Sequence, residues 1–386
     1  MGRCIVSRID ELIAELCPDG VEYKRLGDLG RRNKGTSITA ARMKVIGADG
    51  GPIRVFAGGQ TVADVAEGSV PERDVVRVPS IIVKSRGHVG FAYYERPFTH
   101  KAELWSYSIE HPDVDQKYVY YYLLTQVGVL QAIARATSVK LPQLGVGDTD
   151  ALRIPIPPLA VQREIVRVLD AFAELEAELE AELEARRAQY EHYLRSTLLP
   201  TAGIEWTTLG EATLNHDRKR KPVTRSDRKG GEYPYYGANG VQDYVHDFIF
   251  DGTFLLVGED GSVKNADGTP ILNWATGKIW VNNHAHVLTS AGEDFNLRYL
   301  YYYLATVDVT TYVTGGTQPK INQKNLNKVP VPLVPRSFQD DVVGVLDRFD
   351  ALVNDISVGL PAELAARRKQ YEYYRDRLLT FKELAA

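Results

Sequence analysis

"RRAQYEHYLRSTLL" occupies residues 186–199, and "RRKQYEYYRDRLL" occupies residues 367–379. Arg186/Arg367, Arg187/Arg368, Gln189/Gln370, Tyr190/Tyr371, Glu191/Glu372, Tyr193/Tyr374 and Leu198/Leu379 coincide at an offset of 181. So long a Tyr-rich, doubly basic helical phrase does not recur by chance, and the chain is read first as a duplication. Upstream, "KYVYYYLL" (117–124) matches "RYLYYYLA" (298–305) at the same offset. "TSVKLPQL" (137–144) aligns with "GGTQPKI" (315–321) on Pro142 and Pro319, and "LRIPIPPL" (152–159) with "NKVPVPLV" (327–334) on Pro155 and Pro330. "QREIVRVLDAF" (162–172) then matches "QDDVVGVLDRF" (339–349), and at the other end "GVEYKRLGD" (20–28) matches "GIEWTTLGE" (203–211). The offset drifts only between 175 and 183, so one unit of about 180 residues is used twice.

The frame of the repeat carries information of its own. A short helical pattern, "SRIDELIAEL" (7–16), takes the place of the final turns of the "RRAQYEHYLRSTLL" helix, which predicts termini close together. From about residue 161 to 199, Ile165, Leu169, Phe172, Leu175, Leu179, Leu183, Tyr190 and Leu194 step by three, four or seven. That spacing predicts one helix, roughly 55–60 Å long, with a coiled-coil-like seam. Pro155, Pro157 and Pro158 end the module before it. In the second copy Val342, Val345, Leu346, Phe349, Leu352, Ile356, Leu364, Tyr371 and Leu378 form the stripe, interrupted by "GLP" (359–361). A break is expected there, with Pro361 in the first turn of a restarted helix. Between the helices, strand-like runs ("PSIIVKS", "FLLVGED", "KIWVNN") alternate with Gly-rich turns, and one helix surrounds each "YYYL", whose tyrosines are expected in the core. The expected fold class is α+β. Two α/β modules stand in a pseudo-two-fold repeat, separated by two long antiparallel, coiled-coil-like helices. The segments are 1–19, 20–158, 159–200, 201–335 and 336–386.

Composition narrows the class. Two cysteines, Cys4 and Cys17, support neither a disulfide framework nor a four-ligand zinc site, and with no leader-like segment they suggest a cytoplasmic protein. No apolar run is long enough to span a bilayer, so no membrane partner is expected. The net charge of −4 speaks against nucleic acid until its distribution is considered. Residues 170–185 hold one Asp and six Glu with no Lys or Arg, and removing their −7 leaves the remainder at +3. Basic clusters stand out in that remainder at 25–35 and 216–230. Such a chain can bind DNA locally without a basic isoelectric point.

Two globular modules, each followed by a long helix, resemble the specificity subunits of type I restriction–modification systems over essentially the whole chain. Local phrases agree: "KGTSITAARM" (34–43), "VFAGGQT" (55–61), "PSIIVKSRGHVGF" (79–91) and "PFTHKAELWSY" (97–107) look like one kind of target recognition domain. "YPYYGANGVQDYV" (233–245), "FLLVGEDGSV" (254–263), "GKIWVNNHAHVL" (277–288) and "GGTQPKIN" (315–322) look like another. The resemblance implies a non-catalytic reader of double-stranded DNA that recruits two methyltransferase subunits, and restriction subunits in the full complex. S-adenosylmethionine, ATP and Mg would then be bound by those partners and no cofactor by this chain. Unlike modules on a repeated scaffold would read two half-sites about one DNA turn apart, with the helices as the ruler. Both helix copies would offer one docking surface to two copies of one partner, through Arg186, Arg187, Gln189, Tyr190 and Tyr193 and through Arg367, Arg368, Gln370, Tyr371 and Tyr374.

No [N/D/S]-P-P-[Y/F] loop and no G-x-x-x-x-G-K-[ST] cradle occurs, so neither methyl transfer nor ATP hydrolysis is expected of the chain itself. His284 and His286 in "NNHAH" share a strand face but lack a third metal ligand, so a structural role is expected. Glu259 and Asp260 in "VGEDG" read as solvated or capping turn carboxylates. DNA contacts call for Lys, Arg, Ser and Thr toward phosphates and Arg, Lys, Asn and Gln toward base edges. The candidates are Lys34, Thr36, Ser37, Lys84, Ser85, Arg86, His88, Lys140 and Gln143 in the first module. In the second they are Lys219, Arg220, Lys221, Tyr236, Asn239, Lys264, Gln318 and Lys320. Gln143 and Lys320 follow the aligned prolines, so equivalent loops are expected to face DNA in both halves. The alternative left by the residues alone is an interaction scaffold with no nucleic-acid role; a fused methyltransferase-nuclease would need catalytic motifs for which there is no room.

Overall fold

The computed structural model describes residues 2–59, 61–137, 141–200 and 203–385. It divides into two units, residues 1–178 with 364–386 and residues 179–363. Unit 1 runs α1 (Gly2–Leu16), β1 (Glu22–Arg25), α2 (Leu26–Leu29), β2 (Gly30–Lys34), α3 (Ala40–Ile46), β3 (Ile53–Phe56), β4 (Val62–Val65), β5 (Ser80–Lys84), β6 (Gly90–Tyr94), β7 (Phe98–His100), β8 (Trp105–Ile109), α4 (Gln116–Thr125), α5 (Val127–Thr137), α6 (Val146–Asp150), β9 (Arg153–Ile156) and the first half of α7 (Leu159–Ser196). Unit 2 takes the rest of α7, then β10 (Glu205–Thr208), α8 (Leu209–Ala212), β11 (Thr213–Asn215), β12 (Gly230–Gly237), β13 (Gly240–Val245), β14 (Phe250–Gly258), β15 (Leu272–Val281), β16 (Ala285–Ser290), α9 (Leu297–Leu304), α10 (Gln323–Leu326), β17 (Pro330–Leu333) and α11 (Arg336–Asn354). From Leu364 onward, α12 (Leu360–Leu378) belongs to unit 1. Among the described residues, no helix is long and apolar enough to cross a membrane.

The duplication extends to the hydrogen bonds. Unit 1 orders four strands β2-β8-β5-β6, and unit 2 begins its six-stranded sheet β11-β16-β14-β15 in the same way before adding β12-β13. The central strands are apolar on both faces, with Ile81, Ile82 and Val83 in β5 and Leu255, Leu256 and Val257 in β14 fully buried. β-Branched residues are well suited to such doubly covered strands. The "YYYL" helices are capped alike, Asp115 accepting from Lys117 and Tyr118 N–H and Asn296 from Arg298 and Tyr299 N–H. Their tyrosines are core, as expected: Tyr118, Tyr299 and Tyr302 are wholly buried. Tyr121 donates to Asp170 and Tyr302 to Asp347, each at 2.5 Å. Those carboxylates also take Lys117 and Arg298 respectively, both at 2.8 Å.

Two fully buried glutamines tie each module to its long helix. Gln162 accepts from Asp115 N–H at 2.8 Å and donates to the carbonyls of Asp113 (2.8 Å) and Pro157 (2.6 Å). Gln339 accepts from Asn296 N–H at 2.7 Å and donates to the carbonyls of Asp294 (2.8 Å) and Val334 (2.9 Å). The strand pairs beside them correct one alignment: Tyr23 lies opposite Pro155 and Trp206 opposite Pro332, so Pro332, not Pro330, is the counterpart of Pro155. "IPIP" and "VPVP" match themselves at a shift of two, which keeps the same strand face inward and leaves the slip invisible in sequence.

The helical expectations hold with one change. α7 is a single helix of 38 residues, about 57 Å long. α11 stops at Asn354 and the chain restarts at Leu360 with Pro361 in the first turn, Asp355 binding Ser357 N–H (2.7 Å) across the break. Within unit 1, Phe172 stacks on Tyr374 and Glu176 pairs with Arg368, so α7 and α12 run antiparallel. α12, not α1, therefore holds the place that the second half of α7 holds in unit 2, where Tyr193 stacks on Phe349. α1 is tied to α12 through Arg377–Asp10 and to α7 through Arg8–Glu164. The terminal segments do meet: Val21 N–H donates to Lys382 O (2.9 Å) and Leu384 N–H to Val21 O (2.9 Å).

In unit 2 the sheet must curl. Phe250 pairs with Ile279 at one end of the β14 ladder, yet β16, four residues beyond Val281, starts at the other end with Ala285 opposite Gly258. Eight residues of strand span about 26 Å, whereas the four Cα–Cα steps from Val281 to Ala285 reach at most about 14 Å. Gly252 and Gly277, paired across the ladder with φ of 147° and 77°, supply the bend.

Candidate nucleic-acid interface

In each unit the strand-end loops converge on one constellation. In unit 1 the turn after β5 places Gly87 at φ 73°, its N–H donating to Pro142 O (2.9 Å), while Leu144 N–H donates to Ser85 O (2.8 Å) and Arg86 faces Gln143. In unit 2 the turn after β14 places Gly261 at φ 74°, its N–H donating to Pro319 O (3.1 Å), while Ile321 N–H donates to Glu259 O (2.9 Å) and Asp260 faces Lys320. A second pair of bonds repeats as well. Thr36 N–H reaches His100 O (2.8 Å) and Lys101 N–H reaches Phe56 O (2.9 Å). Lys221 N–H reaches Val281 O (3.3 Å) and Asn282 N–H reaches Tyr236 O (3.0 Å). The backbone frame is thus common, while the side chains it presents differ: Arg86 against Asp260, Gln143 against Lys320, Thr36 against Lys221 and Lys101 against Asn282.

The frame brings together many, not all, of the residues picked from sequence. Lys34, Ser37, Arg86, His88 and Gln143 are exposed in unit 1, and Lys84 is half-buried. Thr36 and Ser85 are buried, 3% and 1% exposed, and the Ser85 hydroxyl donates to Glu103 O (2.8 Å). Both residues are buried, which corrects their selection: Ser85 sits at an inward position beside the exposed Arg86, and Thr36 beside the exposed Ser37. Lys140 lies outside the described residues. In unit 2, Lys219, Lys221, Asn239, Gln318 and Lys320 are exposed and Tyr236 is half-buried. Asn239 donates to Ser262 Oγ at 2.9 Å, bringing the β12–β13 turn to the loop after β14. Lys264 is exposed on a separate turn, bridged to Pro270. Sequence reading missed Gln131, whose amide accepts from Val89 N–H (2.8 Å) and donates to Gly87 O (3.1 Å), fixing the Arg86 turn. It also missed Lys101 and Asn282, which lie next to the paired backbone sites; only the structural repeat singles them out.

The largest correction concerns Glu259, which is not a solvated turn carboxylate. It is 8% exposed and takes Arg220 Nη1 at 2.5 Å and Lys320 Nζ at 3.1 Å. Beside it Asp217 accepts from Val287 N–H (3.0 Å), His286 Nδ1 (2.5 Å) and Arg220 Nη2 (3.3 Å). Burial opposes ionisation of Asp217, but the hydrogen bond and charge of His286, with Arg220, outweigh it and hold the carboxyl below its ordinary range. His286 is wholly buried, its Nε2 on Ile321 O at 2.8 Å. Asp260 pairs with His284. Arg220 therefore faces inward rather than toward a ligand, which corrects its selection as a DNA contact. Asp217, Glu259 and His286 offer metal-ligand atoms within 4.8 Å of one another, a cluster that "NNHAH" alone did not disclose. All four carboxylate oxygens are engaged, so an incoming metal ion would have to displace Arg220 or Lys320.

On the duplicated helices the tyrosines turn inward. Tyr193 stacks on Phe349 at 5.2 Å and Tyr374 on Phe172 at 5.6 Å, while Tyr190 and Tyr371 pack against their units' cores. Burial pushes Tyr371 up to about 12. Arg186 is tied to Glu182 and Gln189, and Arg367 to Gln370. The matched side chains left exposed are Arg187/Arg368 and Glu191/Glu372, one turn apart, with Arg368 also on Glu176. Of the docking surface expected from sequence, the tyrosines build the helix packing, while Arg186 bonds along its own helix.

Comparison with known proteins agrees with this duplicated frame. The sequence pattern described as "Type I restriction modification DNA specificity domain" matches residues 18–185 and again 206–366. A relative in Haemophilus influenzae named for a type I restriction enzyme specificity subunit is 39% identical over 191 residues, 48% of this chain and 49% of its own length. The match thus spans about half of that protein. A type I restriction enzyme specificity subunit of Escherichia coli is 29% identical over 296 residues, 69% of this chain and 70% of its own. Among solved structures, the type I restriction–modification S subunit of M. genitalium superposes with a TM-score of 0.63 over 93% of this chain and 96% of its own, at 17% identity. A chain from a study of complex assembly and conformational transition of the type I system gives 0.55 over 94% and 98%, at 16% identity. With the pattern matched twice, over two units whose sheets and caps repeat, the chain belongs to the type I restriction–modification specificity subunit family.

Proposed function

We propose that this chain is the DNA-reading subunit of a type I restriction–modification complex, unit 1 reading one half of a split target and unit 2 the other. The observation that carries the reading is the loop constellation built twice on one backbone frame with different side chains. A shared frame fixes how each unit meets the duplex, and unlike side chains make the two half-words unlike. The chemistry belongs to partners: two methyltransferase subunits, holding S-adenosylmethionine, and restriction subunits using ATP and Mg. The chain carries no motif for either reaction, while its twin Arg187/Arg368 and Glu191/Glu372 positions suit two copies of one partner. The helical regions hold the unread spacer constant.

The test is methylome sequencing of cells expressing the chain with its neighbouring methyltransferase genes. One gapped, adenine-containing motif is expected, absent when this chain is omitted. Reversing Lys219 and Lys221 to Glu, with Arg220 left in place, is expected to abolish methylation of that motif. Methylation by the purified chain alone, or an unchanged motif without it, refutes the proposal.

A further inference from the structure

The buried charge cluster of unit 2 sits at the centre of its loop constellation, and Glu259 there takes the position that Ser85 holds in unit 1, where the carboxylate nearby is Glu103, paired with Lys101. Glu259 and Ser85 are structural counterparts: each follows the central strand, precedes the residue bridged to Gln143 or Lys320, and accepts through its carbonyl from Leu144 or Ile321 N–H. Replacing a buried hydroxyl by a buried carboxylate is costly unless cations compensate it. Arg220 does so from the inside, being itself bound to the carbonyl of Ala285 at 2.8 Å. Lys320 does so from the surface: its side chain is 46% exposed while its Nζ lies 3.1 Å from Glu259.

We infer that Glu259 is a specificity-positioning residue, which turns Lys320 from a general phosphate-binding cation into a directed base-edge donor. A free surface lysine is a mobile point charge that attracts any phosphate. One N–H of Lys320 is committed to a carboxylate whose own position is fixed by Arg220 and by the strand end. The remaining donors then point in set directions, suited to paired acceptors such as guanine O6 and N7. Neutralisation by Glu259 at the same time lowers the pull of this site on unspecific duplex. Unit 1 meets the same need differently, with the uncharged Gln143 at the position equivalent to Lys320.

The inference rests on unit 2 being a DNA reader, and the experiment separates the two claims. The full chain, as wild type and as Glu259→Gln, is used to select from a pool of random-sequence duplexes, and binding to the unselected pool is titrated with salt. Wild type is expected to select a gapped word. Glu259→Gln is expected to keep one half-word, to lose discrimination at a position in the other, and to steepen log K against log salt by about one, the value of one further phosphate contact. Failure of wild type to select any word refutes the DNA-reader proposal itself. A wild-type word with the same word and slope in Glu259→Gln overturns only the role of Glu259. Should Glu259→Gln lose its cooperative melt, Lys320→Met decides, because Arg220 still compensates Glu259 in it. It is expected to lose the same position without a change in slope, and retention of the full word overturns the inference.

Discussion

Replacing Gln339 by Leu tests the coupling of module to helix directly. The leucine has a similar reach but cannot bond, so Asn296 N–H and the carbonyls of Asp294 and Val334 lose their partner. A buried polar group left unsatisfied costs about 1–3 kcal/mol. The Val334 bond is fully buried and the other two partly so; discounting those for water, the loss comes to about 2–4 kcal/mol. Asn296 is the N-cap of α9, so the loss falls on the turn that anchors the "YYYL" helix. Hydrogen exchange followed peptide by peptide should show α9 amides exchanging about 30- to 1000-fold faster, since 1.4 kcal/mol is tenfold. Gln162→Leu should act on α4 by a similar amount, because its bonds to Asp115 N–H and to Asp113 and Pro157 carbonyls are the same. A change below about 1 kcal/mol, or equal effects on α4 and α9 from either variant alone, would refute this reasoning.

Three further outcomes follow from other features. Asp217 has a depressed pKa in the folded protein, so its contribution to stability is present above the ordinary carboxylate value near 3.9 and is lost as pH falls through the lower folded value; Asp217→Asn should be less stable at neutral pH and lose less on acidification, as read by urea titration at several pH values. Gly277→Ala meets no atom within 4 Å but must adopt φ 77°, so a loss of about 1–2 kcal/mol and a lower thermal midpoint are expected; an unchanged midpoint contradicts the proposed bend. Arg86→Ala with Gln143→Ala should degrade one half of the methylated motif and spare the other, and loss of both halves together in methylome data counts against separate readers.

The duplication, the long first helix, the break between α11 and α12 and the buried tyrosines were legible because they depend on local periodicity and on phrases that repeat at a fixed offset. Residue type also located the equivalent loops, since the prolines before Gln143 and Lys320 mark the same turn in both units. Type could not sort the individual side chains within them. Thr36, Ser85 and Arg220 resemble good ligands for DNA in composition, but partners distant in the chain turn Ser85 onto the Glu103 carbonyl and Arg220 onto Glu259, and Thr36 is buried beneath its loop. The proline register failed for a related reason: a text that repeats every two residues carries no information about shifts of two.

By itself, the order of amino acids determined that one architecture is used twice, where its helices run and which loops are equivalent, because hydrophobic spacing and turn chemistry act over a few residues. Only the tertiary structure decided that Glu259 is a compensated buried charge rather than a wet turn residue. Its partners Arg220, His286 and Lys320 come from segments scattered over a hundred residues, and a carboxylate's surroundings, not its neighbours in the chain, set the cost of its charge.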